Sequence, residues 1–271
     1  TIDIAAFKDQ SVGIEKAPLT ARERAYNKYV PSRWLGDNSK FYFTRQSRDQ
    51  KRVDLCSVDV ATGECKTILH EELNTYVETR DFKFFNNDTE FVHWSERDGW
   101  AHLYLYGADG TLKNQITKGE FHVENVVGID EAKRVVYFTA CGREKGINPY
   151  YMYLYSANLD GSNVKLLNKG DYDNRVNMSE NNRYFVNNYS RVDCTPKTAL
   201  YDQTGRKIMD LEEADFSQLF AHGYKFPEIF TVKAGDGITD LYGVMYKPFD
   251  FDSTKTNRAR FNKKTTRIAS T

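Results

Sequence analysis

An all-β fold made of consecutive propeller blades is predicted by three observations. First, a strand ending in a tight turn recurs. DLCSVDVATG ends at Gly63, HLYLYGADG at Gly110, YMYLYSANLDG at Gly161 and TALYDQTG at Gly205, spaced 47, 51 and 44 residues apart. Second, a series of polar turns at 36–39, 86–89, 130–133 and 180–182 runs in phase with it, each before an aromatic or β-branched run starting at Phe41, Phe91, Val135 or Tyr184. Two turn series in one register, with four strands per repeat, are the signature of propeller blades. Third, the chain is rich in Tyr (18) and Phe (17) and poor in Pro (6), which suits pleated, half-buried surfaces.

The organising stretch is Ser95–Gly110, SERDGWAHLYLYGADG. Leu103 and Leu105 alternate with Tyr104 and Tyr106, the period of a strand with two different faces. Gly110 supplies the φ > 0 that a tight hairpin requires.

In chain order, residues 1–29 form a lead-in that does not fit the repeat. Within it Val12 and Ile14 suit an edge strand, and Thr20–Ala25 suits one or two helical turns. Residues 30–225 hold about four four-stranded blades. The first has strands at Val30–Leu35, Lys40–Gln46, Val53–Val60 and Glu64–Leu69. The second has Phe82–Phe85, Glu90–Ser95, Ala101–Tyr106 and Thr111–Thr117. The third has Asn125–Ile129, Arg134–Cys141, Tyr150–Ser156 and Val164–Leu167. The fourth has Val176–Ser179, Arg183–Tyr189, Thr198–Tyr201 and Lys207–Leu211. Four blades make a very small ring, so the expectation is part of a larger propeller. Glu212–Phe220 suits a short helix. Residues 226–252 read as a linker and a longer hairpin, and 253–271 as a basic, flexible tail.

Charge excludes broad partner classes. Lys plus Arg and Asp plus Glu both number 38, so no field of one sign argues for nucleic acid. A nucleic-acid arm in the basic tail lacks a basic folded face to support it. No apolar run spans a bilayer. No zinc-type cysteine spacing appears and no cofactor motif is found. Cys56 and Cys65 flank one hairpin turn. Their odd spacing sets them on opposite faces of a regular ladder, so a disulfide between them needs a bulge or an offset pairing.

No constellation for catalysis is visible: there is no Gly-x-Ser-x-Gly elbow, phosphate loop or metal-spaced histidine set. His93 and His102 lie on adjacent strands and can approach each other, or be separately satisfied. The acids at Asp210, Glu212, Glu213 and Asp215 read as a solvated face. The candidate surface is the set of loops joining second to third strands, 95–99, 142–149 and 191–196. These carry Glu96, Arg97, Asp98, Arg143, Glu144, Lys145, Arg191 and Asp193, with Trp100 at the edge.

These residues resemble a known family. SERDGWAHLYLYGADG is similar to the Ser-Glu-x-x-Gly-aromatic-x-His-Leu-Tyr-x-Tyr motif of the dipeptidyl peptidase IV propeller, in the prolyl oligopeptidase family of serine peptidases. DLCSVDVATGEC is similar to a hairpin typical of it. FPEIFTVKAGDGITDLYGVMYKPFDFD, 226–252, is similar to its linker and the first hairpin of its α/β-hydrolase domain.

The resemblance implies a parent serine exopeptidase. Such an enzyme releases N-terminal dipeptides from peptides with Pro or Ala second, without a cofactor or metal, and its propeller gates access. It implies that Trp100 lines the far side of the substrate pocket, with Glu96 and Arg97 beside it. The Arg that commonly follows the aromatic is Ala101 here. The catalytic triad lies beyond Asp252 in the family, so no catalytic residue is assigned and the chain alone is expected to be inactive. Glu71-Glu72 and Glu212-Glu213 do not stand in the context of the family's amine-binding glutamate pair. Implied partners are the peptide and the missing hydrolase domain, with a homodimer open; an extracytoplasmic or periplasmic place is implied by the family alone. The alternative is a non-catalytic propeller scaffold or binding module.

Overall fold

The computed structural model describes residues 10–13, 34–35, 39–78, 80–248, 250–252 and 254, with backbone alone at 10–13 and 35. The helical turns expected at Thr20–Ala25 and nearly all of the basic tail lie outside the described residues. Two compact units divide the chain. One runs to Tyr189 and takes in Thr198–Glu212; the other comprises Ser190–Lys197 and the residues described from Glu213 onward.

Four consecutive meander sheets form as the turn series predict. The first contains β1 (Gln10–Gly13), β2 (Trp34–Leu35), β3 (Lys40–Ser47), β4 (Arg52–Asp59) and β5 (Cys65–Glu72). The second contains β6 (Lys83–Phe85), β7 (Glu90–Ser95), β8 (His102–Gly107) and β9 (Leu112–Gln115). The third contains β10 (His122–Asp130), β11 (Val135–Cys141), β12 (Tyr153–Asn158) and β13 (Lys165–Leu166). The fourth contains β14 (Asp173–Met178), β15 (Tyr184–Ser190), β16 (Lys197–Asp202) and β17 (Lys207–Glu213). These are propeller blades.

The turns explain the register. Gly63, Gly110, Gly161 and Gly205 all have positive φ, between 75° and 90°. At each turn an Asp carboxylate accepts the backbone N–H of a nearby hydroxyl residue: Asp59 from Thr62, Asp109 from Thr111, Asp160 from Ser162 and Asp202 from Thr204. Such Asx turns are why Asp precedes these glycines.

The cores lie between blades. Tyr42, Leu55 and Leu69 of the first sheet pack with Phe82, Phe91, Tyr104 and Tyr106 of the second. Leu103 and Leu105 face the other way, into a cluster with Val136, Phe138, Tyr153 and Tyr155 of the third. Tyr137 and Leu154 then pack with Phe185 of the fourth. The alternation in HLYLY therefore marks two buried faces, one for each neighbouring blade. Each fully buried large apolar side chain contributes about 1.5–3 kcal/mol.

Two expectations are corrected, and one falls partly outside the described residues. The innermost strand of the first blade is expected at Val30–Leu35; of that stretch Trp34–Leu35 lies among the described residues, pairing with Phe41 and Lys40 as expected. The edge strand expected around Val12 is Gln10–Gly13, and it pairs with Thr44–Ser47 of β3. The helix expected from Glu212 starts later, as α1 (Ser217–Ala221), because Lys207–Glu213 stays extended as β17.

The cysteine pairing is the second correction. Opposite faces hold only where a hairpin pairs residues of like parity, whereas this ladder regularly pairs unlike parity, Cys56 with Thr67, Ser57 with Lys66 and Val58 with Cys65, and its bulge lies outside that run, between Cys56 and Leu55. Cys56 and Cys65 thus share a face, offset by two positions, in a cluster with Phe41, Phe43 and Val58. Both are free thiols. The second unit carries the hairpin of β18 (Glu228–Lys233) and β19 (Asp240–Met245), within the 226–252 stretch expected to hold one.

Candidate functional site

The turn from Ser95 to Trp100 is held from below by a buried carboxylate. Along β5 the alternation runs Leu69 buried, His70 exposed, Glu71 buried, Glu72 exposed. The strand's apolar face thus ends in an acid. The Oε2 of Glu71 lies 2.5 Å from His93 Nε2, and its Oε1 accepts the Ser95 hydroxyl at 2.5 Å. A third hydrogen bond comes from the Arg97 guanidinium at 3.2 Å. A carboxylate only accepts, so His93 carries its proton on Nε2. Burial works against the charge on Glu71, but the bonds from His93 and Ser95 and the charge of Arg97 outweigh it and hold the carboxyl below its ordinary range. Burial likewise pushes His93 down, against the pull of Glu71. Its ring stacks on Phe82 at 4.9 Å, and its Nδ1 has no hydrogen-bond partner among the described residues.

Arg97 is the hub of the turn. Its Nε and its backbone N–H both donate to Ser95 Oγ, at 2.9 and 3.2 Å, and its other arm donates to the Tyr106 hydroxyl at 2.6 Å. The guanidinium also lies 4.4 Å from the Tyr104 ring centroid, a cation–π contact. The turn closes through Gly99 N–H to the Glu96 carbonyl, and the Trp100 N–H donates to Asp98.

Glu96 and Trp100 are what this bracing presents. Trp100 is 45% exposed. Glu96 is half-buried, and burial followed by the nearby charge of Glu78 raises its carboxyl above the ordinary range, against His122 and Arg80. Around it, Arg80 bridges Glu78 at 2.9 Å and Glu124 at 3.4 Å, while lying 5.1 Å from the Trp94 ring. His122 pairs with Glu124 at 3.2 Å.

Ser95, Glu71 and His93 are the residue types of a hydrolytic triad, but in the wrong order. Catalysis needs the imidazole between hydroxyl and acid, so that it can take the hydroxyl proton. Here the carboxylate stands in the middle and the hydroxyl donates to it directly. The histidines that could approach each other do not pair: His102 bonds Thr117 Oγ1 at 3.1 Å and the Gly119 carbonyl at 2.8 Å. Among the described residues no group of acids, histidines and cysteines could hold a metal.

The other expected loops are ordinary by comparison. In 142–149, Glu144 accepts from the Tyr155 hydroxyl at 3.0 Å and pairs with Arg143. In 191–196, Arg191 pairs with Asp193 at 2.9 Å. Lys145 is exposed. The acids near the end of β17 are exposed, with Asp210 bridged to Lys207 and Glu213 to Lys197. Sequence reading assigns Glu71-Glu72 no role, because the pair does not stand in the context of the amine-binding glutamates; the signal for Glu71 was its place on the buried parity of β5.

Comparison with known proteins gives a consistent result. The model of the family described as the dipeptidyl peptidase IV (DPP IV) N-terminal region matches residues 9–196. The dipeptidyl peptidase 4 of Arthroderma otae is 24% identical over 214 residues, 75% of this chain and 27% of that protein. That of Trichophyton equinum is 28% identical over 118 residues, 42% of this chain and 15% of that protein. The chain thus spans about a quarter or less of these relatives. Among solved structures, Porphyromonas gingivalis dipeptidyl peptidase 4 aligns with a TM-score of 0.68 at 24% identity, over 79% of this chain and 30% of that one. A putative dipeptidyl aminopeptidase IV from Bacteroides ovatus gives 0.69 at 24% identity, over 91% and 35%. Both share the fold.

Proposed function

The chain belongs to the dipeptidyl peptidase IV N-terminal region family, and from that premise we propose that it is the substrate-gating propeller portion of a serine exopeptidase. That enzyme releases N-terminal dipeptides from peptides with Pro or Ala second. The peptide meets the 95–100 turn, where Trp100 offers an exposed aromatic face and Glu96 a carboxylate for a cationic group. One observation carries this reading: an aromatic and a half-buried acid stand together on a turn fixed by a buried Glu71–Arg97 pair. Fixed geometry of that kind lowers the ordering cost of binding.

The described residues bring no imidazole between a hydroxyl and an acid, so the bond-breaking step falls to a hydrolase domain in the parent protein. The hairpin of β18 and β19 is the start of that domain. Its Ile229, Phe230, Val232, Val244 and Met245 are all exposed, an apolar surface that suits a covering partner.

The test is calorimetric titration with the tripeptide Ala-Pro-Ala, alongside assay with Gly-Pro-p-nitroanilide. Expected are weak binding, lost in Trp100→Ala and reduced in Glu96→Gln, and no release of nitroaniline. Absence of binding in the native chain overturns the substrate role. Turnover by the chain alone overturns its inactivity.

A further inference from the structure

The carboxylate beneath the turn comes from a different blade. Glu71 is the last residue but one of β5 in the first sheet, whereas Ser95 ends β7 of the second and Arg97 and Trp100 lie in the turn that follows it. It is buried, with a side chain 5% exposed, and each of its oxygens is bonded to a residue of the second sheet or its turn. By contrast, Glu144 in the next blade's loop is bonded within its own blade, to Tyr155 and Arg143.

We propose that Glu71 is the positioning residue of the 95–100 turn: an inter-blade strut that, through Ser95 and Arg97, sets where Trp100 and Glu96 stand. This rests on the peptide-binding reading above. A shift of the first blade against the second is transmitted through one carboxylate to the binding turn. Arg97 cannot compensate from its own side. Its remaining hydrogen-bond and ring contacts among the described residues, Ser95, Tyr104 and Tyr106, are neutral, and losing Glu71 takes from a largely buried guanidinium the one ion-pair partner it has among them. His93 braces the same oxygen from the opposite side, against Phe82.

The experiment labels the chain with 5-fluorotryptophan. The tryptophans are Trp34, Trp94 and Trp100, and Trp100→Phe assigns the third fluorine resonance. In Glu71→Gln the Trp100 resonance is expected to shift and broaden while that of Trp34 stays. Exchange of the 96–100 amide hydrogens should rise about tenfold. Affinity for Ala-Pro-Ala should fall about tenfold. Glu71→Asp, which keeps the charge, should restore part of each. Should Glu71→Gln fail to fold, Ser95→Ala removes only the hydroxyl bridging Glu71 and Arg97, and is expected to move the same signals less. A lower Tm with the Trp100 resonance and the 96–100 exchange unchanged makes Glu71 an ordinary packing residue and overturns the strut. If the native chain binds no peptide, the substrate reading falls, while the fluorine and exchange data still judge Glu71.

Discussion

A Cβ added to Gly205 would lie 2.4 Å from the carbonyl oxygen of Leu167, so the turn of the fourth sheet rests directly on the end of the third. The relationship repeats. Gly161 meets the Gln115 carbonyl at 2.9 Å, and Gly110 meets that of Ile68 at 1.9 Å. The recurring glycine is therefore both a turn residue and the contact by which each blade seats on the one before it.

Gly110→Ala tests that double role. It combines a φ of +90° with a backbone clash, whereas Gly99→Ala has the same φ and nothing within 4 Å. Gly99→Ala should cost about 1–2 kcal/mol, the left-handed penalty alone. Gly110→Ala should cost clearly more, because a backbone carbonyl cannot turn aside as a side chain can. Urea unfolding of the two variants decides; equal losses would remove the seating role.

Acid should unfold the chain in two stages. His93 is buried and neutral with its pKa below the ordinary 6.5, so the unfolded chain takes up the proton first and stability begins to fall below about pH 6.5. Glu71 is held below its ordinary 4.5, so its contribution is full above that value and lost as pH falls through its lower folded value. Glu90 reinforces the lower stage: the bond from Arg134, opposed by burial and helped by Lys113 and Asn86, brings it to about 2. Thermal unfolding against pH should show Tm falling throughout, with the upper stage absent in His93→Gln. A Tm that rises on acidification contradicts both assignments.

Much of this fold was legible because its determinants are local. Turn glycines, Asx residues and the Leu/Tyr alternation each act within a few residues, so strands such as Glu90–Ser95 fall where the pattern puts them. At the inner edge of the first blade the lead-in strand around Val12 was legible but its partner was not, since Gln10–Gly13 pairs with β3, far away in sequence. Trp100, Glu96 and Arg97 were singled out by motif, but what braces them was hidden. Glu71 and Arg97 are 26 residues apart and meet only when two blades stack. A buried acid at a strand end is visible in the sequence; its partner is not.

Cys56 and Cys65 should form a disulfide under oxidising conditions. The pairing of Cys56 with Thr67 and of Val58 with Cys65 puts them on one face, and each thiol is near the other. Burial pushes Cys56 up to about 11, against the pull of Arg45, so its thiolate is scarce and closure should be slow without a thiol catalyst. Peptide mapping without reduction, after glutathione oxidation, should find the two peptides joined and short of two hydrogens. Full alkylation of both thiols after that treatment counts against the bond.

The two faces of β8 allow the two blade interfaces to be weakened separately. Leu103 is fully buried toward the third sheet, and Tyr106 is 5% exposed toward the first, stacked on Phe91 at 5.2 Å. Leu103→Ala should cost about 2–5 kcal/mol, and Tyr106→Ala a similar amount plus the loss of the Arg97 bond. In a repeat array, stability is a sum of blade and nearest-neighbour terms, so the loss should appear first at the affected interface. Hydrogen exchange should therefore rise in β10 and β11 for Leu103→Ala, and in β5 and the 95–100 turn for Tyr106→Ala. Uniform acceleration across all four sheets in both variants would mean that the blades unfold as one unit, and that Glu71 couples the first two no more tightly than packing couples the rest.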